Sequence, residues 1–176
     1  MDDARTSLRL LDLDDAPLLA ELRARNADHL RPWEPTRPAR FVTRQGQTAY
    51  VEQLLRAYEN GDGVPFAITT QGRVIGQVTL AGIVRGALQS CSLGYWVGAA
   101  DTGVGHATRA ATLAIGFAFS QLGLHRVQAE TLPENAPSRA VLRRNAFVQY
   151  GLAPQYLSID GQWRDHLMFQ RLAPAR

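Results

Sequence analysis

The sequence predicts an α+β fold: one mixed, mostly antiparallel twisted sheet flanked by helices. Three observations predict it. The hydrophobic period switches from helical to alternating near residue 64. Tight-turn dipeptides punctuate the alternating stretches. One strand is followed by a long apolar helix before the next strand, which forces a single parallel step across a helical crossover.

Each element follows from a local pattern. SLRLLDL (7–13) reads as a first strand. Asp14 or Asp15 then offers an N-cap, and Leu18, Leu19 and Leu22 fall at helical spacing. Three prolines in HLRPWEPTRP (29–38) demand irregular backbone. Val51, Leu54, Leu55 and Tyr58 make the stripe of a second helix over 46–59, stopped at Asn60-Gly61. VPFAITT and RVIGQVTLAGIV (64–84) flank a Gln71-Gly72 turn, and a third strand over 88–97 ends in LGYWV. In a helix over 105–122, Arg109, Thr112, Gly116 and Ser120 fall at i, i+3, i+7 and i+11, so one thin stripe faces water. HRVQAETL (125–132) is a strand and NAPSRAVLRRN (135–145) a short helix. Residues 147–172 form two strands around Asp160-Gly161. The order is β-α-α-β-β-β-α-β-α-β-β, with no repeat or linker, so residues 1–176 are expected to form a single domain.

Composition narrows the function. Of the residues, 45% are hydrophobic and 20% charged, and no apolar run approaches the ~18 residues of a membrane span. The start, MDDARTSLRL, lacks the basic and apolar regions of a secretory signal, so a cytoplasmic location is expected. Cys91 is the single cysteine, which excludes an internal disulfide framework and a cysteine-rich zinc centre. No His/Asp/Glu cluster has metal-ligand spacing, so no metal is expected. All 19 basic residues are arginine, against 16 acidic ones, for a net charge of +3. The absence of lysine excludes P-loop and Schiff-base lysine chemistry. The arginine excess suits an anionic ligand.

DTGVGHATRA (101–110) is where such a ligand fits. A strand, a glycine loop and a helix start converge backbone N–H groups on one spot, the usual cradle for phosphate. A dinucleotide-binding loop needs a third glycine where Thr108 stands and further parallel βαβ units, although Glu130 lies at a plausible distance for a ribose-binding acid.

LGYWVGAADTGVGHATRA, HRVQAETLPENAPSRAVLRRNAFVQYG and YLSIDGQWRDHLMF together resemble the GNAT acetyltransferases, in particular the RimJ/RimL branch of N-terminal acetyltransferases. RNADHLRPWEP (25–35) is similar to that branch's first helix and loop. The resemblance implies acetyl-CoA as co-substrate. It implies that Gly103, Val104, Gly105, His106, Ala107 and Thr108 take the pyrophosphate, and that the strand edge at Tyr95, Trp96 and Val97 pairs with the pantetheine arm. Asn135 and Ser138 match the branch's Asn-x-x-Ser motif near the thioester. Arg144 stands where relatives often carry lysine, and the resemblance implies that it meets the adenosine 3′-phosphate. His106 is expected to line the cofactor. Two positions depart from the pattern: Ala100 replaces Gln or Arg, and Val104 replaces a basic residue.

Acetyl transfer to an amine needs a base for the ammonium, a polarised carbonyl and a stabilised thiolate. Glu130 is the candidate base and Ser138 the candidate partner of the leaving thiol. Residues 152–159 contain no acid, which closes the alternative of a carboxylate after Gly151. Tyr150 and Tyr156 are alternative acids but read as packed strand aromatics; His125 and His166 read as structural. Trp33 and Glu34 lie in the proline-rich lid, an aromatic beside a carboxylate that suits a peptide N-terminus. The expected acceptor is a protein or peptide α-amine, with a ribosomal protein as one candidate, held between residues 25–45 and the 150–165 hairpin. The alternatives are a small amine acceptor (amino acid, polyamine or antibiotic) and a non-catalytic acyl-CoA-binding module. No nucleic-acid or membrane partner is expected.

Overall fold

The structure is a computed structural model that describes residues 6–174. Seven strands form one sheet: β1 (Ser7–Leu10), β2 (Gly63–Thr70), β3 (Arg73–Val84), β4 (Ser90–Val97), β5 (Arg126–Thr131), β6 (Val148–Ile159) and β7 (Gln162–Leu172). Their spatial order is β1-β2-β3-β4-β5-β7-β6. Every neighbouring pair is antiparallel except β4–β5. Five α-helices accompany them: α1 (Ala16–Arg25), α2 (Ala27–Leu30), α3 (Arg44–Glu59), α4 (His106–Ser120) and α5 (Ala136–Arg144). The expected order holds, with the four-residue α2 and two 3₁₀ turns added inside the proline-rich segment.

Local chemistry explains the joints. The Gln71-Gly72 and Asp160-Gly161 turns have positive φ at both residues (48° and 75°; 47° and 77°), the geometry whose twist matches a two-residue hairpin. Asp15 stands at the N-cap of α1, as the sequence offers, but its side chain makes no capping bond to that helix; Asp12 caps the 3₁₀ turn Leu13–Asp15 that leads into it. The Asp12 side chain accepts from Asp14 N, while Asp15 folds back to accept from Asp12 N at 2.9 Å and from Arg9.

Hydrophobic side chains divide between the two faces of the sheet. On one face α4 lays Ala110, Ala111, Ala114 and Ala118 against β2–β5, and these short side chains let the helix approach closely. Its exposed stripe is Arg109, Thr112, Gly116 and Ser120, as the sequence predicts. On the other face Leu19 of α1 and Val51 of α3 meet Ala67 and Val74. Among the described residues, no helix packs to a comparable extent over that second face of β5, β7 and β6. No helix among the described residues is long and apolar enough to cross a membrane.

Candidate active site

The glycine loop opens directly into α4. Gly105 occupies the N-cap with φ 94°, Gly103 has φ 79°, and no side chain caps the helix. The first backbone bond is Arg109 N to Gly105 O at 3.0 Å. Among the described residues, the amides of Gly103, Val104, Gly105, His106, Ala107 and Thr108 donate to nothing else. Six amides at the positive end of a 15-residue helix form an anion cradle. Val104 between the two glycines is 73% exposed.

Two asparagines that the sequence reading missed hold this loop. Asn26, after α1, accepts from Ala99 N at 2.8 Å and donates to Leu22 O at 2.7 Å. Asn145, after α5, donates to Thr108 O at 3.2 Å and accepts from Thr112 Oγ1 at 2.8 Å. The loop is thus fixed from both flanks. His106 contributes differently from expectation: its ring is buried, with Nδ1 2.8 Å from Thr6 Oγ1, so only its amide faces the loop. Arg144 is exposed in the last turn of α5.

Beside the loop the sheet splits. β4 and β5 pair only at Ser90–Arg126, Cys91–Val127 and Ser92–Gln128. Beyond Ser92, β4 stays with β3 as far as Val97, and β5 stays with β7 as far as Thr131. Among the described residues, Leu93 to Val97 therefore present an edge toward β5 that no strand covers. Gly76 makes this edge's position possible, because a Cβ there would lie 2.1 Å from Trp96 O.

Tyr95 crosses the notch. Its hydroxyl lies 3.0 Å from Ser138 Oγ and 3.3 Å from Ser138 O, and burial pushes its pKa up to about 12. Ser138 sits in the first turn of α5, where its amide donates to the Asn135 side chain at 3.0 Å. Asn135 is the cap, so the Ser138 hydroxyl is not consumed by capping.

Glu130 lies on the uncovered face, opposite Met168, which itself pairs with Gly151. Burial raises its pKa, since desolvation disfavours the carboxylate. Its charge is the leading cause of a raised pKa at Tyr156. Tyr156 and Tyr150 are 41% and 46% exposed, not packed as expected. Register shifts between Gln149 and Gly151 and between Ala153 and Leu157 distort β6 around both, and Tyr150 Oη accepts from Gln128 Nε2 at 2.8 Å. His166 is buried edge-on to Tyr156, with Nδ1 3.0 Å from Arg164 O; His125 is exposed.

The lid is tied to the notch by a buried cation. Arg23 of α1 donates through Nη1 to both carboxylate oxygens of Glu34, at 3.1 and 3.0 Å. Its guanidinium carbon lies 4.5 Å from the Trp96 ring centroid and 5.1 Å from that of Phe41. Trp33 remains 37% exposed. A cavity of about 260 Å³ opens between this lid and the β6–β7 turn, lined among others by Arg23, Leu30, Glu34, Phe41, Val42 and Asp160. Among the described residues, no group of three His, Cys, Asp or Glu could hold a metal ion.

The profile of the family described as "Acetyltransferase (GNAT) domain" matches residues 5–148. The chain is 33% identical over 169 residues to a probable N-acetyltransferase, YjcK, of Bacillus subtilis, covering 95% of this chain and 93% of that protein. It is 33% identical over 172 residues to the [ribosomal protein uS5]-alanine N-acetyltransferase of Escherichia coli, covering 97% and 89%. The structure is similar to that of Mycobacterium smegmatis RimJ in complex with CoA-disulfide, with a TM-score of 0.93, 36% identity, and coverage of 96% of this chain and 82% of that one. The split sheet, the amide cradle and these matches lead to one conclusion: the chain belongs to the GNAT acetyltransferase family and is an N-acetyltransferase.

Proposed function

We propose that this protein is an acetyl-CoA-dependent N-acetyltransferase of the RimJ/RimL type whose acceptor is the N-terminal α-amine of a protein. The observation that carries the reading is the notch between β4 and β5, bounded by the amide cradle at one end and by Glu130 and Ser138 at its margins. The residues present fit the co-substrate. The amides of 103–108 meet the charge of a pyrophosphate, the free edge at Tyr95–Val97 offers a ladder to an amide-bearing arm, and Arg144 offers a cation for a further phosphate. When bound, acetyl-CoA supplies an acetyl group activated as a thioester.

The chain's own groups supply the rest. Glu130 removes a proton from the acceptor, directly or through a water; an α-amine with a pKa of about 7.7–8.0 asks only for a modest base. Burial brings Glu130 closer to that range than an exposed glutamate would be. Ser138 directs its hydroxyl toward the leaving sulfur. Glu34 keeps lone pairs beyond those that Arg23 uses, and with Trp33 it lines the approach for an ammonium and the backbone behind it. The cavity of about 260 Å³ between the lid and Asp160 offers room for a polypeptide acceptor and so supports that reading. The E. coli relative, whose name specifies an alanine of ribosomal protein uS5, points the same way.

The test is release of CoA thiol with N-terminal peptides, set against free amino acids, polyamines and aminoglycosides. Turnover confined to peptides supports the reading. Turnover confined to one compact amine overturns the acceptor assignment, and binding of acetyl-CoA without turnover of any amine overturns catalysis.

A further inference from the structure

The Tyr95 side chain is half-buried on the cofactor strand, and its hydroxyl reaches across the split sheet to Ser138, 3.0 Å from Oγ and a longer 3.3 Å from the backbone O, so Oγ is the nearer acceptor for its one hydrogen. A strand residue whose sole role is backbone pairing needs no such hydroxyl. A phenylalanine would fill the same space beside the core formed by Leu93, Val127 and Val141. The phenol is also kept from ionising throughout the working range, since burial holds its pKa near 12.

We propose that Tyr95 is a positioning residue: its O–H donates to Ser138 Oγ and so leaves the Ser138 hydrogen to point at the sulfur of the thioester. The inference rests on the reading of Ser138 given above and adds the reason its hydroxyl is oriented. A serine hydroxyl has one hydrogen and two acceptor lone pairs. With the phenol occupying a lone pair, the remaining hydrogen is free for the notch, and the chained bonds reinforce one another. In the transfer, the amine nitrogen forms its bond to the acetyl carbon while the carbon–sulfur bond breaks. The bonding pair goes to sulfur; one ammonium proton has passed to Glu130 before attack, and the second nitrogen proton leaves as the amide forms, passing through water to the thiolate. Ser138 stabilises the charge on sulfur by a hydrogen bond and gives up no proton of its own, which matters because an alkoxide would be a far stronger base than a thiolate.

The experiment compares Tyr95→Phe, Ser138→Ala and the double variant. The first readout is the pKa of the CoA thiol in the binary complex, followed by thiolate ultraviolet absorbance; the second is kcat under saturating peptide and acetyl-CoA. Calorimetric titration with CoA below the thiol pKa checks that each variant is folded and binds. The expected result is a raised thiol pKa and a kcat lowered about tenfold in Tyr95→Phe, the scale of one hydrogen bond to a developing charge. CoA affinity should stay near the parent value. The double variant should be no worse than Ser138→Ala alone. If Ser138→Ala raises the thiol pKa and Tyr95→Phe does not, the Tyr95 inference is overturned and the Ser138 reading stands. If Ser138→Ala changes neither readout, both are overturned. A Tyr95→Phe loss that simply adds to that of Ser138→Ala, with an unchanged thiol pKa, marks packing alone and also overturns the inference.

Discussion

The Arg23 guanidinium lies 4.5 Å from the centroid of the Trp96 ring, so a cation from α1 rests on the strand that borders the catalytic notch. The same cation holds Glu34 of the lid, and its side chain is only 6% exposed. Removing one member of a buried pair leaves the other charge uncompensated, which costs more than the pair contributes. Glu34→Ala should therefore destabilise the protein by about 3 kcal/mol, the low end for a buried pair because Glu34 keeps some contact with water. Replacing both partners by Arg23→Met and Glu34→Gln should recover part of the loss. Urea unfolding of the two singles and the double measures it, and purely additive losses would show that the two residues do not act as a pair.

Glu130→Gln should act on turnover and stability in opposite directions. Turnover should fall by roughly 10²–10⁴-fold, the contribution of a general base, and the loss should shrink as pH rises and more acceptor is already neutral. For stability, the native pKa is raised above the unfolded value. At low pH both states hold the proton and the shift has no effect. As pH rises past the ordinary glutamate pKa the unfolded chain ionises first, so stability falls until the native carboxyl ionises too. Glu130→Gln removes that penalty and should raise the thermal midpoint at neutral pH but not in acid. Differential scanning across pH, with kcat in parallel, tests both arms.

Tyr156 reports the same charge independently. Glu130 is the main cause of its raised pKa, so Glu130→Gln should move the Tyr156 titration down toward the ordinary phenol value. Tyrosinate absorbance, with Tyr156→Phe to assign the signal, reads the shift.

Gly105→Val should weaken CoA binding by at least about tenfold, on the order of 1.4 kcal/mol. The residue has φ 94°, which a β-branched side chain resists, and any relaxation turns the amides away from a common focus. No atom lies within 4 Å of the added Cβ, so the core is untouched. Calorimetry with CoA decides, and unchanged affinity in a folded variant would remove the loop from the binding site.

Activity should climb from a single amino-acid amide to a short peptide with the same first residue, if the proposed acceptor is a polypeptide that runs on under the lid. Trp33→Ala should erase most of that climb and little of the activity on the single residue. Values of kcat/KM over the length series, parent against variant, separate a polypeptide acceptor from a compact amine, for which the order reverses.

The elements were legible where one residue type has one physical use. Gln-Gly and Asp-Gly fixed the hairpins, and four polar residues at helical spacing gave the exposed side of α4. The site was legible where its motif is contiguous, as in the loop at 103–108. It was not legible where contacts join distant segments. Asn26 and Asn145 look like unremarkable ends of helices, yet their side chains reach 73 and 37 residues along the chain to hold the loop. His106 looks like a loop residue until Thr6 takes its ring from 100 residues away. Tyr150 and Tyr156 look packed because alternation implies a covered face, and neither the register shifts of β6 nor the missing helix over it leaves a local signature.

Three residue pairs, Ser90 to Ser92 against Arg126 to Gln128, join the two halves of the sheet. Each half is knit by antiparallel neighbours, whereas this seam is parallel and must await the passage of the chain through α4. Loop closure of that kind is slow relative to hairpin formation. The protein can therefore regain its helices and both half-sheets before the strands meet at the angle that leaves a notch. The capacity to capture coenzyme is then expected to return last on refolding, which would make ligand retention a stricter gauge of a finished molecule than its circular dichroism.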